Sequence, residues 1–125
     1  MSLLLDAGAL IALERGDRAM WTRLKAEGLA GALPLTHGGV VGQVWRDGAR
    51  QARLAVALAS VDVRVLDETL GRAAGELLAS TRTTDVVDAA LAALACDGDD
   101  LVTSDPADLA VLVAAAGAHV EVLSV

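Results

Sequence analysis

The sequence has no tyrosine, no phenylalanine and a single cysteine, Cys96. One thiol cannot build a disulfide framework or a zinc site of several thiolates. Two histidines, His37 and His119, leave little material for a histidine-rich metal centre. Trp21 and Trp45 are too few for the aromatic platforms on which proteins stack single-stranded nucleic acid. Lys25 is the only lysine, and no glycine-rich loop ends in Lys-Ser or Lys-Thr, which excludes a Walker-type nucleotide site. A long apolar run is missing too. The longest uncharged stretch, Gly28–Trp45, is broken by Pro34, His37 and Gln43 and is too polar to span a bilayer. The opening Met-Ser-Leu-Leu-Leu-Asp has no basic residue before its apolar run, and Asp6 cuts that run short, so it makes a poor signal peptide. The expectation is a cytoplasmic protein without a membrane segment.

What is present is a chain of 125 residues, 54% hydrophobic, with a mean hydropathy of +0.52. That is enough for one packed domain over residues 1–125 and excludes wholesale disorder. The net charge of -7 and a pI near 4.6 argue against gripping nucleic acid by bulk positive charge. The acid surplus is uneven. Residues 1–53 carry seven Lys+Arg and five Asp+Glu, a balance of +2, while residues 54–125 carry three and twelve, a balance of -9. Divalent cations would collect in the second half, although an acidic surface that keeps a protein soluble gives the same bias.

Hydrophobic periodicity alternates in type along the chain. Short apolar runs predict strands at Leu3–Leu5, Leu33–Leu35, Val61–Leu66, Leu101–Thr103 and His119–Leu123. Between them, helical spacing predicts helices over Ala7–Arg15, Asp17–Gly28, His37–Asp47, Ala49–Ala59, Glu68–Ala79, Asp85–Cys96 and Pro106–Ala116. Repeated strand–helix alternation predicts an α/β fold with a parallel sheet and helices on both faces. Cys96 reads as a small buried hydrophobe and the tryptophans as core or interface anchors. His37 reads as a loop or cap residue and His119 as a strand-edge residue.

In open parallel sheets the working crevice lies beyond the carboxyl ends of the strands, where strand order reverses. Asp6 follows the first strand, and Ser104 and Asp105 follow the fourth. Asp85 and Asp88 open a helix that can lean over the same edge. Each has a plainer reading. Asp6 is a good helix cap, and Asp105, before Pro106, is a very good one, with Asp108 three residues on in a capping-box arrangement. Asp85 and Asp88 repeat that spacing. Asp67 and Glu68 favour a helix start electrostatically, and Asp97, Asp99 and Asp100 read as surface. Together, however, Asp6, Asp85, Asp88 and Asp105 would repel one another unless some hold protons or a cation lies between them. Oxygen-only ligands suit Mg²⁺ or Mn²⁺, ions that activate water and neutralise a phosphodiester transition state.

Three segments carry a resemblance. Leu3-Leu4-Leu5-Asp6-Ala7-Gly8-Ala9-Leu10-Ile11, Asp85-Val86-Val87-Asp88-Ala89-Ala90-Leu91 and Leu101-Val102-Thr103-Ser104-Asp105 resemble, in order and spacing, the acidic motifs of PIN domains. The closer likeness is to the VapC-type ribonuclease toxins of toxin–antitoxin pairs, and it covers nearly the whole chain. The resemblance implies a three-layer α/β/α sandwich whose five-stranded parallel sheet has the order 3-2-1-4-5. It implies a Mg²⁺- or Mn²⁺-dependent endoribonuclease with Asp6, Asp88 and Asp105 as catalytic metal ligands, an RNA substrate, a cognate antitoxin and a homodimer. The chain departs from the pattern at Gln43, where the family usually has a glutamate. An amide offers a metal an oxygen but no charge. Asp85, one helical turn from Asp88, is a candidate to supply the missing charge, and Asp108 is a further candidate ligand.

Arg46, Arg50 and Arg53 fall at i, i+4 and i+7 and would form a phosphate-tracking stripe if their helices ran on; an ordinary solvated face is the alternative. The leading expectation is the ribonuclease toxin. Its rival is a PIN-like binding module whose catalysis Gln43 has weakened or abolished. A phosphorylated receiver domain, which needs a lysine after a late strand, fits less well.

Overall fold

Three leucines form the middle of the sheet. The computed structural model describes all 125 residues, and its first strand, β1 (Leu3–Leu5), is buried along its whole length. Side chains alternate across a strand, so these leucines serve two cores. Leu3 and Leu5 pack with Leu10, Leu13, Leu24, Val40 and Leu54 on one face. Leu4 packs with Ala74, Leu91, Leu109 and Leu112 on the other. Leu4 is wholly buried, and its truncation to Ala would cost about 2–5 kcal/mol.

The remaining strands are β2 (Leu35–His37), β3 (Asp62–Arg64), β4 (Asp100–Thr103) and β5 (Glu121–Ser124). All neighbours pair in parallel, and the sheet order is β3-β2-β1-β4-β5. Helices α1 (Ala7–Glu14), α2 (Arg18–Leu29), α3 (Gly38–Val44) and α4 (Ala52–Leu58) cover the face of Leu3 and Leu5. Helices α5 (Glu68–Thr81), α6 (Val86–Leu94) and α7 (Pro106–Ala115) cover the face of Leu4. The fold is thus the expected α/β/α sandwich with the expected strand order. With no large aromatic in the second core, α6 packs through Ala89, Ala90, Leu91 and Ala92, all fully buried. No helix is long and apolar enough to cross a membrane.

Several element bounds differ from the periodic reading, each for a local reason. β2 begins after Pro34, which has no N–H to give a ladder, and Leu33 is exposed. β3 is shorter than its Val61-Val63-Val65 alternation because it is an edge strand, where Val63 and Val65 stay exposed. α3 stops at Val44 and α4 starts only at Ala52. Between them the buried side chain of Gln51 intervenes. Its Oε1 accepts the Arg46 and Asp47 N–H groups at 2.8 and 2.9 Å, and its amide donates to Val44 O and Glu14. Cys96 lies beyond the end of α6 and is exposed rather than buried. Asp99 is the reverse case. It is buried, with its carboxylate accepting Ser2 N–H at 2.6 Å and Cys96 N–H at 2.8 Å.

Candidate active site

Aspartate opens most helices of this chain by a local bond. Asp6, Asp17, Asp67 and Asp85 each accept the N–H three residues on, at 2.9, 2.9, 2.9 and 3.0 Å. Such caps satisfy a backbone donor that the helix cannot. Asp105 holds the same position before α7, with Pro106 behind it, yet makes no capping bond. The capping reading therefore fails at the residue where Pro106 favoured it most. Instead, Asp105 N–H donates to Thr103 Oγ1 at 2.8 Å, and the exposed carboxylate is left for other work.

Thr103 ends β4 beside β1, whose register pairs Leu5 with Val102. Its buried hydroxyl donates to Asp6 Oδ2 at 2.5 Å, and Ser104 N–H donates to the same oxygen at 3.3 Å. The other Asp6 oxygen caps α1. Asp6 is buried, and these three donors fix both of its oxygens. Gly8 is what lets the two strand ends close up. A Cβ there would lie 2.5 Å from the Ser104 Cβ.

α6 brings the third acid. Asp88 is partly buried and its carboxyl is pushed up to about 7, first by burial and then by the charges of Asp85, Asp6 and Asp105. The fold thus gathers Asp6, Asp85, Asp88 and Asp105 at one sheet edge, from residues distant in sequence. Asp108 joins through Asp105, whose hydrogen bond and charge raise its exposed carboxyl. Gln43, on α3, lines a cleft with Glu14, Arg15, Arg46 and Arg50.

The donor set is hard oxygen, which suits Mg²⁺ or Mn²⁺. No three acidic, histidine or cysteine side chains converge on one point in the arrangement seen. Mg²⁺ does not require that: it usually keeps several waters and takes only one or two carboxylates. The oxygen chemistry of Asp6, Asp88 and Asp105 suits such an ion, which one or two of them could hold with its waters, and the repulsion felt at Asp88 is what a cation would relieve.

The arginines are rearranged relative to expectation. Since α3 and α4 do not run on, Arg46, Arg50 and Arg53 form no helical stripe. Arg46 and Arg50 line a cleft of about 530 Å³, and Arg53 lines an adjoining one of about 450 Å³ with Arg18 and Trp21. Arg15 lines both, and a third of about 750 Å³ that reaches Gly8, Thr103 and Ser104. Of these five guanidinium groups only Arg50 meets a carboxylate, that of Asp47 at 3.6 Å. Arg46 and Arg53 spend their donors on neutral carbonyls. No sequence signal singled out Arg15 or Arg18, because their role depends on how α1 turns into α2.

No protein-family model matches the chain, and no curated protein does.

Proposed function

We propose that the protein is a metal-dependent endoribonuclease of the PIN type, acting as the toxin of a toxin–antitoxin pair. The observation that carries the reading is the carboxylate of Asp105. It stands at a helix start without capping the helix, on the same sheet edge as Asp6 and Asp88. A Mg²⁺ or Mn²⁺ ion bound there supplies an activated water and neutralises charge on a phosphodiester. The chain's own residues divide the remaining work. Asp6, fixed by Thr103 Oγ1 and Ser104 N–H, acts as the rigid anion. Asp88, whose carboxyl lies near 7 without a cation, would give up its proton as the ion binds. The Arg15, Arg46 and Arg50 cleft offers phosphate contacts along one side. The antitoxin and a second copy of the chain are the partners this reading brings with it.

The test is purified protein with labelled structured RNA and Mn²⁺ or Mg²⁺. Metal-dependent cleavage that Asp6→Asn and Asp105→Asn each abolish supports the reading. No cleavage at high metal and protein concentration overturns it and leaves the non-catalytic binding module, which the uncharged amide of Gln43 favours.

A further inference from the structure

Two adjacent residues at the end of β2 are polar and fully buried, and the site described above does not use their side chains: Thr36 and His37. Thr36 Oγ1 donates to Leu5 O at 2.8 Å. His37 Nε2 lies 2.9 Å from Val87 O. A carbonyl only accepts, so Nε2 carries the proton, and Nδ1 is free to accept Gly39 N–H at 3.1 Å. Burial also holds the imidazole pKa below its ordinary value, so the ring is the neutral one this pattern requires.

The two carbonyls have a common feature. Leu5 immediately precedes Asp6, and Val87 immediately precedes Asp88. Consecutive residues of one strand therefore hold the peptides that lead into two of the three candidate carboxylates, across sequence separations of 31 and 50 residues. The space for the ring is made by Gly39. A Cβ there would stand 2.9 Å from His37 Cε1. Repulsion among Asp6, Asp85, Asp88 and Asp105 pushes the start of α6 away from the sheet. From its own segment α6 has only the Asp85 cap, which accepts Asp88 N–H at 3.0 Å.

We propose that Thr36 and His37 form a clamp in which His37 is the positioning residue for Asp88, holding the first turn of α6 against the sheet edge that carries Asp6. The inference rests on reading Asp6, Asp88 and Asp105 as the working carboxylates. It concerns this chain's own histidine and does not depend on which RNA is cut.

Two substitutions separate the two bonds of the ring. His37→Asn keeps an acceptor near Nδ1 for the α3 cap but is too short to reach Val87. His37→Gln keeps a donor at the reach of Nε2 and gives up the cap. The measurement is amide hydrogen exchange by NMR in metal-free protein, read at Asp88 and Ala89, together with Mn²⁺ affinity and melting temperature. In His37→Asn, exchange at Asp88 and Ala89 rises about tenfold over that at α1 and α5, as expected for one lost hydrogen bond, and Mn²⁺ affinity falls by a similar factor. His37→Gln restores both. Gly39→Ala, which displaces the ring without removing it, follows His37→Asn. A role in capping alone predicts the reverse order, with Gln worse than Asn, and a role in packing alone raises exchange at α1 and α5 as much as at Asp88 and Ala89; either result overturns the proposal. So does unchanged exchange at Asp88 in His37→Asn. If the wild-type protein binds no Mn²⁺, the metal reading falls, and the exchange order of the Asn and Gln variants still decides whether His37 positions Asp88.

Discussion

Thr103 donates its hydroxyl proton to Asp6 Oδ2 at 2.5 Å while accepting Asp105 N–H on the same oxygen at 2.8 Å. One buried hydroxyl therefore fixes the acid at the end of β1 and the backbone of the acid after β4. Thr103→Val keeps the shape and removes both bonds. It leaves the Asp105 N–H without this partner and Asp6 Oδ2 with only the 3.3 Å contact from Ser104. The expected loss is about 1–3 kcal/mol in chemical denaturation, with Mn²⁺ affinity reduced as well. A variant as stable as the parent would show that water replaces the hydroxyl.

Asp88 makes stability depend on pH. Its carboxyl releases its proton near 7 in the folded chain and at the ordinary value of 3.8 when unfolded. Between those values the folded state binds more protons, so this contribution to stability falls as pH rises from about 4 to about 7. Asp88→Asn removes that dependence and stabilises the metal-free protein at pH 8 by about 1–2 kcal/mol, after allowing for solvent screening. Thermal melts of both proteins at pH 4.5 and 8 read the difference. An equal gap between the two proteins at both pH values contradicts the crowding of acids around Asp88.

Asp85 has two roles that one substitution can separate. Asn caps a helix as well as Asp does, so Asp85→Asn retains the bond from Asp88 N–H. What it loses is the charge that raises the Asp88 carboxyl. NMR titration of Asp88 is expected to show its pKa lowered, with the melting temperature unchanged at pH 4.5, where Asp88 keeps its proton in both proteins. If Asp85 also supplies the charge missing at Gln43, Mn²⁺ affinity falls in the same variant. Unchanged affinity would leave Asp85 as a cap alone.

Gly8→Ala sets helix propensity against space. In an open helix the change is worth about 1 kcal/mol in favour of Ala. Here the new Cβ meets the Ser104 side chain, with Cβ to Cβ at 2.5 Å. The clash wins, costs about 1–3 kcal/mol and moves Ser104 N–H off Asp6. A melting temperature above the parent's would overturn this ordering.

The arginine clefts predict a specific salt response. Arg15→Ala and Arg50→Ala each remove one unspecific phosphate contact, so RNA affinity falls evenly across sequences and the salt slope drops by about 1 per substitution. Arg72→Ala, on α5 and paired with Glu68 at 2.9 Å, serves as the control and leaves binding unchanged. Binding measured at several salt concentrations distinguishes the three.

Much of the fold is legible in local pattern. The unbroken Leu3-Leu4-Leu5 run reads as a strand buried on both sides, and it is one. The aspartates before α1, α2, α5 and α6 stand at helix starts, as their positions indicate. Asp105 shows where such reading stops. Position and Pro106 both favour a cap, but the Thr103 hydroxyl takes its N–H and the carboxylate makes no capping bond to α7. Arg46, Arg50 and Arg53 show a second limit. Helical spacing aligns them only if the helix continues, and the Gln51 side chain captures the backbone at Arg46 and Asp47 and ends it. Asp99 and Cys96 show a third, because these two residues of one turn exchange buried and exposed roles according to which donor faces the core.

By itself the sequence determines a parallel α/β sandwich over 125 residues and an acidic residue at the carboxyl end of β1 and just past that of β4. Those features rest on periodicity and short-range bonding, which a chain carries within a few residues. Only the tertiary structure decides which acids meet, which of them is free of capping duty, and that His37 holds the turn of Asp88. Each of these depends on a contact between strand ends or helix turns far apart in sequence, such as Thr103 with Asp6 across 97 residues. Contacts of that range exist only once the two hydrophobic cores have closed on opposite faces of the sheet.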